Sequence, residues 1–430
     1  MIHRSLIALA IVALLSTSLT AQNRGNLQKS PPLAKSRLVV HEWGTFTSMV
    51  GSTGFGLEGL QHEEEALPGF VYQFGGKSRN GLSAPRGSYG SKKLAMRLHK
   101  VTQKMETPVI YFYTKDKMRL QLRVDFVNGL MTQWFPAAYA AAPKPPKGMG
   151  GEAPFDLGKI KRSFLQWYVD LIPRSAGMPD TVPTVKKDDP WAFAREVDAC
   201  WVQTRNLNEQ KKKEGDAYLF YRGLGTFTLP ITVEATGGGF GRVKNSCGEP
   251  LSGVFALEVR PDGARFSELA DVKADGVTLI DLGDHEFAPV AEVVSKLQRK
   301  VMDRLVDRGL YEKEARAMVR TWSRSWFRTE GTRILYIVPK PIVSSLLPMQ
   351  MNPVPHELVR VLVGRLEFIT PEVEQEVEDA LKQRASGIPG SQRRLDRLGR
   401  FLEPHLRRVL QKTRDGGVRQ EAKGLLKELE

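Results

Sequence analysis

The chain has 430 residues, 41% of them hydrophobic and 26% charged, a balance that belongs to folded proteins and excludes a disordered chain. It carries 63 Lys and Arg against 48 Asp and Glu, a formal net charge of +15. A surplus of that size directs attention to acidic partners, whose nature depends on the compartment.

The amino end reads as a secretory signal peptide over residues 1–21. Arg4 gives a short positive start, Leu6 to Leu15 is an unbroken low-polarity run, and Ser16 to Ala21 leads to a cut after Ala21. Ten apolar residues in a helix reach roughly 15 Å, about half of a bilayer's hydrocarbon, so a cleaved signal is expected rather than an anchor. No later stretch approaches the roughly 18 apolar residues of a spanning helix. The mature protein is therefore expected to be periplasmic or secreted. Its acidic partners there are anionic envelope polymers or lipid headgroups, not nucleic acid, and the alternative is a solvated basic surface with no dedicated partner.

Residues 22–37 read as a polar leader. Leu38 to Thr47 alternates as a strand does, with His41, Trp43 and Thr45 on one face and Val40, Glu42 and Phe46 on the other. Gly51, Gly54 and Gly56 punctuate the loop after it, and Gly75 to Lys93 is a second loop. Val109 to Tyr113 is the β-branched and aromatic run of a buried strand. Leu120, Leu122, Val124 and Phe126 alternate with polar residues, Asn128-Gly129 suits a tight hairpin, and Leu130 to Phe135 is its expected return. An Ala/Pro/Gly tract from Pro136 to Pro154 precedes a strand at Lys159 to Leu171. Trp191 to Val202 is compatible with helix or strand. Further strands are expected at 217–222, 226–234, 253–260 and 277–282, with Pro261-Asp262-Gly263 as a turn. Many short strands among Gly and Pro turns predict an antiparallel β-sandwich-like body over residues 38–286.

Helical spacing then replaces alternation. Val294, Leu297, Val301 and Leu305 form one stripe, closed by Gly309, and Ala315, Met318, Val319, Trp322 and Trp326 form another. Strands at 333–338 and 358–369 flank a Pro-rich turn region, and the whole segment 287–369 is expected to pack on the β body. Thr370 and Pro371 suit the start of a helix with stripe Val373, Val377 and Leu381. Leu395 to Val409 and Val418 to Leu429 mark two more, separated by Asp415-Gly416-Gly417. The predicted class is α+β, ending in C-terminal helices over 370–430. Residues 391–430 hold eleven Lys and Arg against six Asp and Glu, so this tail is where an anionic partner is to be tested.

Cys200 and Cys247 permit one intramolecular disulfide in an exported chain, which closes a loop worth roughly 4 kcal/mol by chain entropy. The alternative is two buried thiols.

Motifs that carry chemistry are scarce. The sequence contains no HExxH, CxxC, G-x-S-x-G or G-x-x-x-x-G-K-[ST]. What remains is His41 and Glu42 on the first strand and His62-Glu63-Glu64-Glu65 beyond the Gly-rich loop. Two imidazoles and several carboxylates can bind a divalent metal, zinc or calcium, or act as acid and base. Adjacent residues of a strand point to opposite faces, which separates His41 from Glu42. In the structural alternative His41 packs beside Trp43, and Glu63 to Glu65 is a solvated patch. Glu106 and Asp125 are a candidate carboxylate pair for glycoside cleavage, with ordinary salt bridging as the alternative. Seven tryptophans provide either core or a sugar-stacking platform.

His41-Glu42-Trp43-Gly44-Thr45-Phe46-Thr47 resembles the opening motif of a group of uncharacterised exported bacterial proteins. Met105 to Tyr113 and Gly309-Leu310-Tyr311-Glu312-Lys313-Glu314-Ala315 resemble further parts of that pattern. The resemblance implies an exported chain of one architecture and implies no activity. Asp415 to Leu426 resembles the second-helix pattern of a single HEAT-type repeat, and one unit without a stack implies a docked helix pair. The leading expectation is an extracytoplasmic binding or interaction protein. The alternative is a hydrolase of envelope polymer or polysaccharide, working with a metal around His41 and His62; a purely structural envelope component stands third.

Overall fold

Val39–Val50 is the strand around which the protein is built, buried at every position but its first. Alternating sequence predicts one wet face; continuous burial means that both faces are covered. A computed structural model describes residues 37–63, 67–74, 98–144, 155–205, 213–237, 240–269, 271–283 and 285–429. The signal segment 1–21, nearly all of the 22–37 leader, the Gly75 to Lys93 loop and the pair Glu64 and Glu65 lie outside them.

The strand sits fifth in a nine-stranded sheet. In spatial order the strands are Gly263–Leu269, Val254–Arg260, Gly331–Ile337, Glu357–Phe368, Val39–Val50, Gln103–Tyr113, Leu219–Gly225, Gly129–Phe135 and Tyr72–Gln73. Val39–Val50 runs parallel to Glu357–Phe368 and antiparallel to Gln103–Tyr113. A six-stranded sheet holds Gly215–Asp216, Trp201–Thr204, Arg162–Ile172, Met118–Val127 and Met349–Asn352 in line, with Ala140–Ala142 beside Arg162–Ile172. The fold is α+β with a sheet-rich body and C-terminal helices.

Two cores lie on the two faces of the large sheet. On one face Val40, Phe46, Ile110 and Phe112 pack with Leu122, Val124, Trp167 and Val169 of the six-stranded sheet, the sheet-on-sheet layer of a sandwich. On the other, Trp43, Tyr111, Phe220 and Val361 meet Val294, Leu297 and Val301 of helix Val290–Asp307 and Ala315 and Met318 of helix Glu312–Thr321. The C-terminal helices have a third cluster around Leu381, Leu395, Leu406 and Val418.

Several expectations change in the structure. Met118–Val127 and Gly129–Phe135 are not a hairpin, because they pair in different sheets. Asn128, alone at φ 52°, turns the chain from one layer into the other, whereas a tight primed turn needs two successive positive φ values. Trp191 to Val202 divides into helix Pro190–Arg195 and strand Trp201–Thr204. The strands expected to pack on the β body, Gly331–Ile337 and Glu357–Phe368, lie within its large sheet. The Pro-rich turn between them contains helix Lys340–Leu346 and strand Met349–Asn352. Ser36–Glu430 is one compact unit, so the boundaries at 286 and 369 mark changes of element type within it.

Among the C-terminal helices, Thr370 caps Pro371–Ala385 by accepting from the Val373 amide at 3.4 Å. The single helix expected over 395–409 is interrupted: Ser391–Asp396 and Leu402–Lys412 flank a 3-10 turn at Gly399–Phe401, where Gly399 takes φ 51°. No helix among the described residues is long and apolar enough to cross a membrane.

Cys200 and Cys247 are free, buried thiols, which corrects the expected disulfide. Each is held at its own carbonyl: Cys200 Sγ donates to Thr114 at 3.4 Å and Cys247 Sγ to Glu249 at 3.0 Å. Burial also pushes the Cys200 thiol up, keeping it protonated and unreactive.

Candidate ligand pocket and the charged band beside it

On the helix-covered face of the large sheet, side chains change from apolar to charged along the strands. Beyond Trp43, Val109 and Phe220 comes a band that crosses five adjacent strands: Arg333, then Arg365 and Glu367, Thr47, Lys104 and Glu106, and Arg222. The cross-strand register places Arg365, Thr47 and Lys104 in one row. All are buried, so each charge requires a partner.

Glu367 accepts from Arg333 Nε at 3.0 Å and Arg365 Nε at 2.5 Å. Glu106 accepts from Thr47 Oγ1 at 2.6 Å and pairs with Arg400, from the 3-10 turn of the C-terminal helices, at 2.5 Å. Glu63 lies 3.0 Å from Lys104 Nζ and 2.6 Å from Arg222 Nη1. Lys104 also donates to the His62 carbonyl. Burial raises the Glu106 carboxyl, but Arg400 and Lys104 outweigh it and hold the group well below the usual carboxylate range. Burial likewise raises Glu63, and Lys104 with Arg222 brings it below its ordinary value. For Lys104 burial wins over both carboxylates, and its ammonium loses its proton more readily than usual.

Where the apolar and charged halves meet there is a pocket of about 740 Å³. Trp43, Trp191, Tyr218, Phe220 and Trp322 wall it, and Glu63, Glu106 and Arg222 close one end. Local packing pins these walls. A Cβ on Gly44 would stand 2.9 Å from Pro108 Cα, so only glycine lets the Gln103–Tyr113 strand bulge in beside Trp43. Thr107, at the bulge, takes φ 47°, a left-handed conformation that a β-branched residue adopts only under constraint. Asp189 accepts from the Trp191 amide at 2.8 Å, and Trp191 Nε1 donates to Asp216 at 2.9 Å. Trp322 stacks on Trp326 with centroids 5.8 Å apart and planes 4° from parallel.

Four side-chain polar atoms of the wall have no hydrogen-bond partner among the described residues: Thr107 Oγ1, Arg222 Nε, Trp322 Nε1 and Ser325 Oγ. An unmet buried donor or acceptor costs about 1–3 kcal/mol. Four around one cavity are a large debit for a fold whose whole stability is of order 5–15 kcal/mol.

The sequence candidates fall in different places. His41 shares a 2.7 Å hydrogen bond with Glu314, which also accepts from the Tyr113 hydroxyl at 2.7 Å and the Tyr311 amide at 2.7 Å. The three segments carrying the family resemblance thus meet at one contact. Glu42 points to the opposite face, where Arg360 Nε donates to it at 2.6 Å and Tyr221 donates to its other oxygen. His62 lies 2.8 Å from Glu403 of helix Leu402–Lys412. The two histidines therefore serve different carboxylates from different helices. Among the described residues no group of three or more His, Cys, Asp or Glu is arranged to hold a metal. Asp125 belongs to the six-stranded sheet and pairs with Arg123 at 2.8 Å, so it forms no pair with Glu106. In the tail, Arg400, Arg407, Arg408 and Lys412 are engaged with Glu106, Glu403 and Glu374, which consumes much of the positive charge expected to meet an anionic partner.

Of the sequence candidates, Glu63 and Glu106 line the pocket; Arg222, Thr107 and Ser325 were not among them. A signal existed for Arg222. It stands in Tyr218-Leu219-Phe220-Tyr221-Arg222, a charge inside an aromatic strand, and so had to be a buried, partnered cation. Glycoside cleavage by two carboxylates requires one of them protonated, whereas Glu63 and Glu106 are both shifted toward the ionised form.

No family model matches the sequence, and no curated protein matches it either. A solved structure to which the chain is similar is the Fcho1 mu homology domain of Danio rerio with bound Eps15 peptide. The identity is 8% and the TM-score 0.26, over 78% of this chain and 96% of that one, a likeness too distant to carry an argument.

Proposed function

We propose that the protein is an exported binding protein whose ligand occupies the pocket between Trp43, Trp191 and Trp322. The observation that carries this reading is the set of four unpartnered polar atoms in one aromatic wall. Unmet hydrogen-bonding capacity around a cavity is tolerated where an occupant relieves it. The volume of about 740 Å³ falls within the roughly 300–1,000 Å³ of small-molecule sites, and the mix of apolar walls with a few convergent polar groups is theirs too. Pinned walls reduce the ordering that binding would otherwise require. Export is supported by Arg4, the Leu6 to Leu15 run and Ala21. A secreted product whose amino terminus is not near Gln22 would count against it.

The test is a thermal-shift panel of neutral sugars, dipeptides, fatty acids and choline against the parent and Thr321→Trp, in which a new indole fills the pocket. One probe class should raise the parent's melting temperature, by an amount corresponding to about 2.7 kcal/mol at a hundredfold excess over Kd, and leave the plugged variant unmoved. The reading fails if no probe shifts the parent, or if Thr321→Trp responds equally.

A further inference from the structure

We infer that the occupant is a neutral saccharide ring, a conclusion that rests on the binding reading above. Charge is the first discriminator. Three carboxylates in the wall, Glu63, Glu106 and Asp189, stand against Arg222 in the wall and Lys104 and Arg400 directly behind it. The balance is even. An anion entering meets three carboxylates, a cation meets the Arg222 guanidinium, and a neutral ligand avoids both conflicts.

Hydrogen-bonding type is the second discriminator. Arg222 Nε and Trp322 Nε1 can only donate, carboxylates can only accept, and the Ser325 and Thr107 hydroxyls can do either. The ligand must therefore offer both donors and acceptors around its rim. A hydroxyl provides both at one atom, and a ring bearing several hydroxyls fits without a fixed orientation of each. The third discriminator is the walls: indole and phenol faces present the negative side of their quadrupole, which suits the C–H faces of a pyranose. The unpartnered atoms are sealed from solvent, so the ring engages them as Ser325 and Thr107 turn by one rotamer.

The experiment titrates the exported chain with cellobiose, N,N′-diacetylchitobiose, glucuronate, choline and indole-3-propionamide, reading tryptophan fluorescence. At least one neutral sugar should bind tenfold or more tightly than glucuronate, choline or the aromatic amide. Arg222→Lys keeps a cation beside Glu63 and removes the planar Nε–H. It should weaken sugar binding about tenfold with the melting temperature within a few degrees of the parent, as should Trp322→Phe. Preferential binding of glucuronate, choline or the amide, abolished in Thr321→Trp, overturns the saccharide and leaves the pocket reading standing. Silence from every probe here and in the thermal-shift panel overturns both. Sugar binding that survives Thr321→Trp places the sugar elsewhere and overturns the inference.

Discussion

The Glu42–Arg360 pair offers the sharpest test of how the sheet is held. Its side chains are 0% and 2% exposed, Arg360 Nε donates to Glu42 at 2.6 Å, and Arg360 Nη1 donates to the Leu347 carbonyl at 2.7 Å. Arg360→Met removes the cation and leaves a buried carboxylate with the Tyr221 hydroxyl as its remaining side-chain donor. Breaking a buried pair from one side costs about 3–5 kcal/mol, and the surviving Tyr221 bond places this case near the lower figure. Most of that cost is the stranded charge, so Glu42→Leu with Arg360→Met should recover a large part of it. Urea unfolding followed by tryptophan fluorescence, with unchanged m values, gives the three differences directly. If the single variant loses under about 1 kcal/mol, or the double loses the sum of both singles, the pair is not the buried, coupled contact described here.

Other outcomes follow from the same geometry. His41→Ala should cost about 1–3 kcal/mol by stripping one partner from Glu314, with metal content equal to the parent's; early loss of bound zinc or calcium at unchanged stability would restore the metal site. His405 is buried, and desolvation, against the Phe401 carbonyl and the charges of Glu367 and Glu374, lowers its proton affinity. The unfolded chain then takes up a proton first as pH falls below about 6.5, so stability present above that value is lost below it. His405→Gln should flatten the slope of unfolding free energy between pH 7 and 5.5, and an identical slope would refute the argument. Reductant should leave the melting temperature unchanged, and denatured, unreduced protein should label at both Cys200 and Cys247. Labelling at neither would mean a disulfide after all.

Local elements were legible because their signals are local. The Val109 to Tyr113 run, the Thr370 cap and the Pro261-Asp262-Gly263 turn each depend on a few neighbouring residues, and each sits where it was expected. Pairing was not legible. The alternation of Leu120 to Phe126 says that one face is buried but not which strand lies alongside, and Asn128-Gly129 was read as a hairpin when a single left-handed residue changes layer. The site shows the same division. Glu63 and Glu106 were visible as carboxylates, but their ion partners Arg222 and Arg400 come from strands and turns far along the chain. His41 looked chemically free because its partner, Glu314, is 273 positions away.

The order of strands also sets the chain's dependence on its own far end. Gly331–Ile337 and Glu357–Phe368 stand between the Val254–Arg260 hairpin strand and Val39–Val50. The first long strand therefore keeps one bare edge until residue 368 has been synthesised, and unpaired edges of that kind invite mispairing. Such long-range closure is slow relative to local contacts. A protein shortened at residue 330 does not lose a margin. Its large sheet is cut through the middle into two pieces, neither of which has its neighbour.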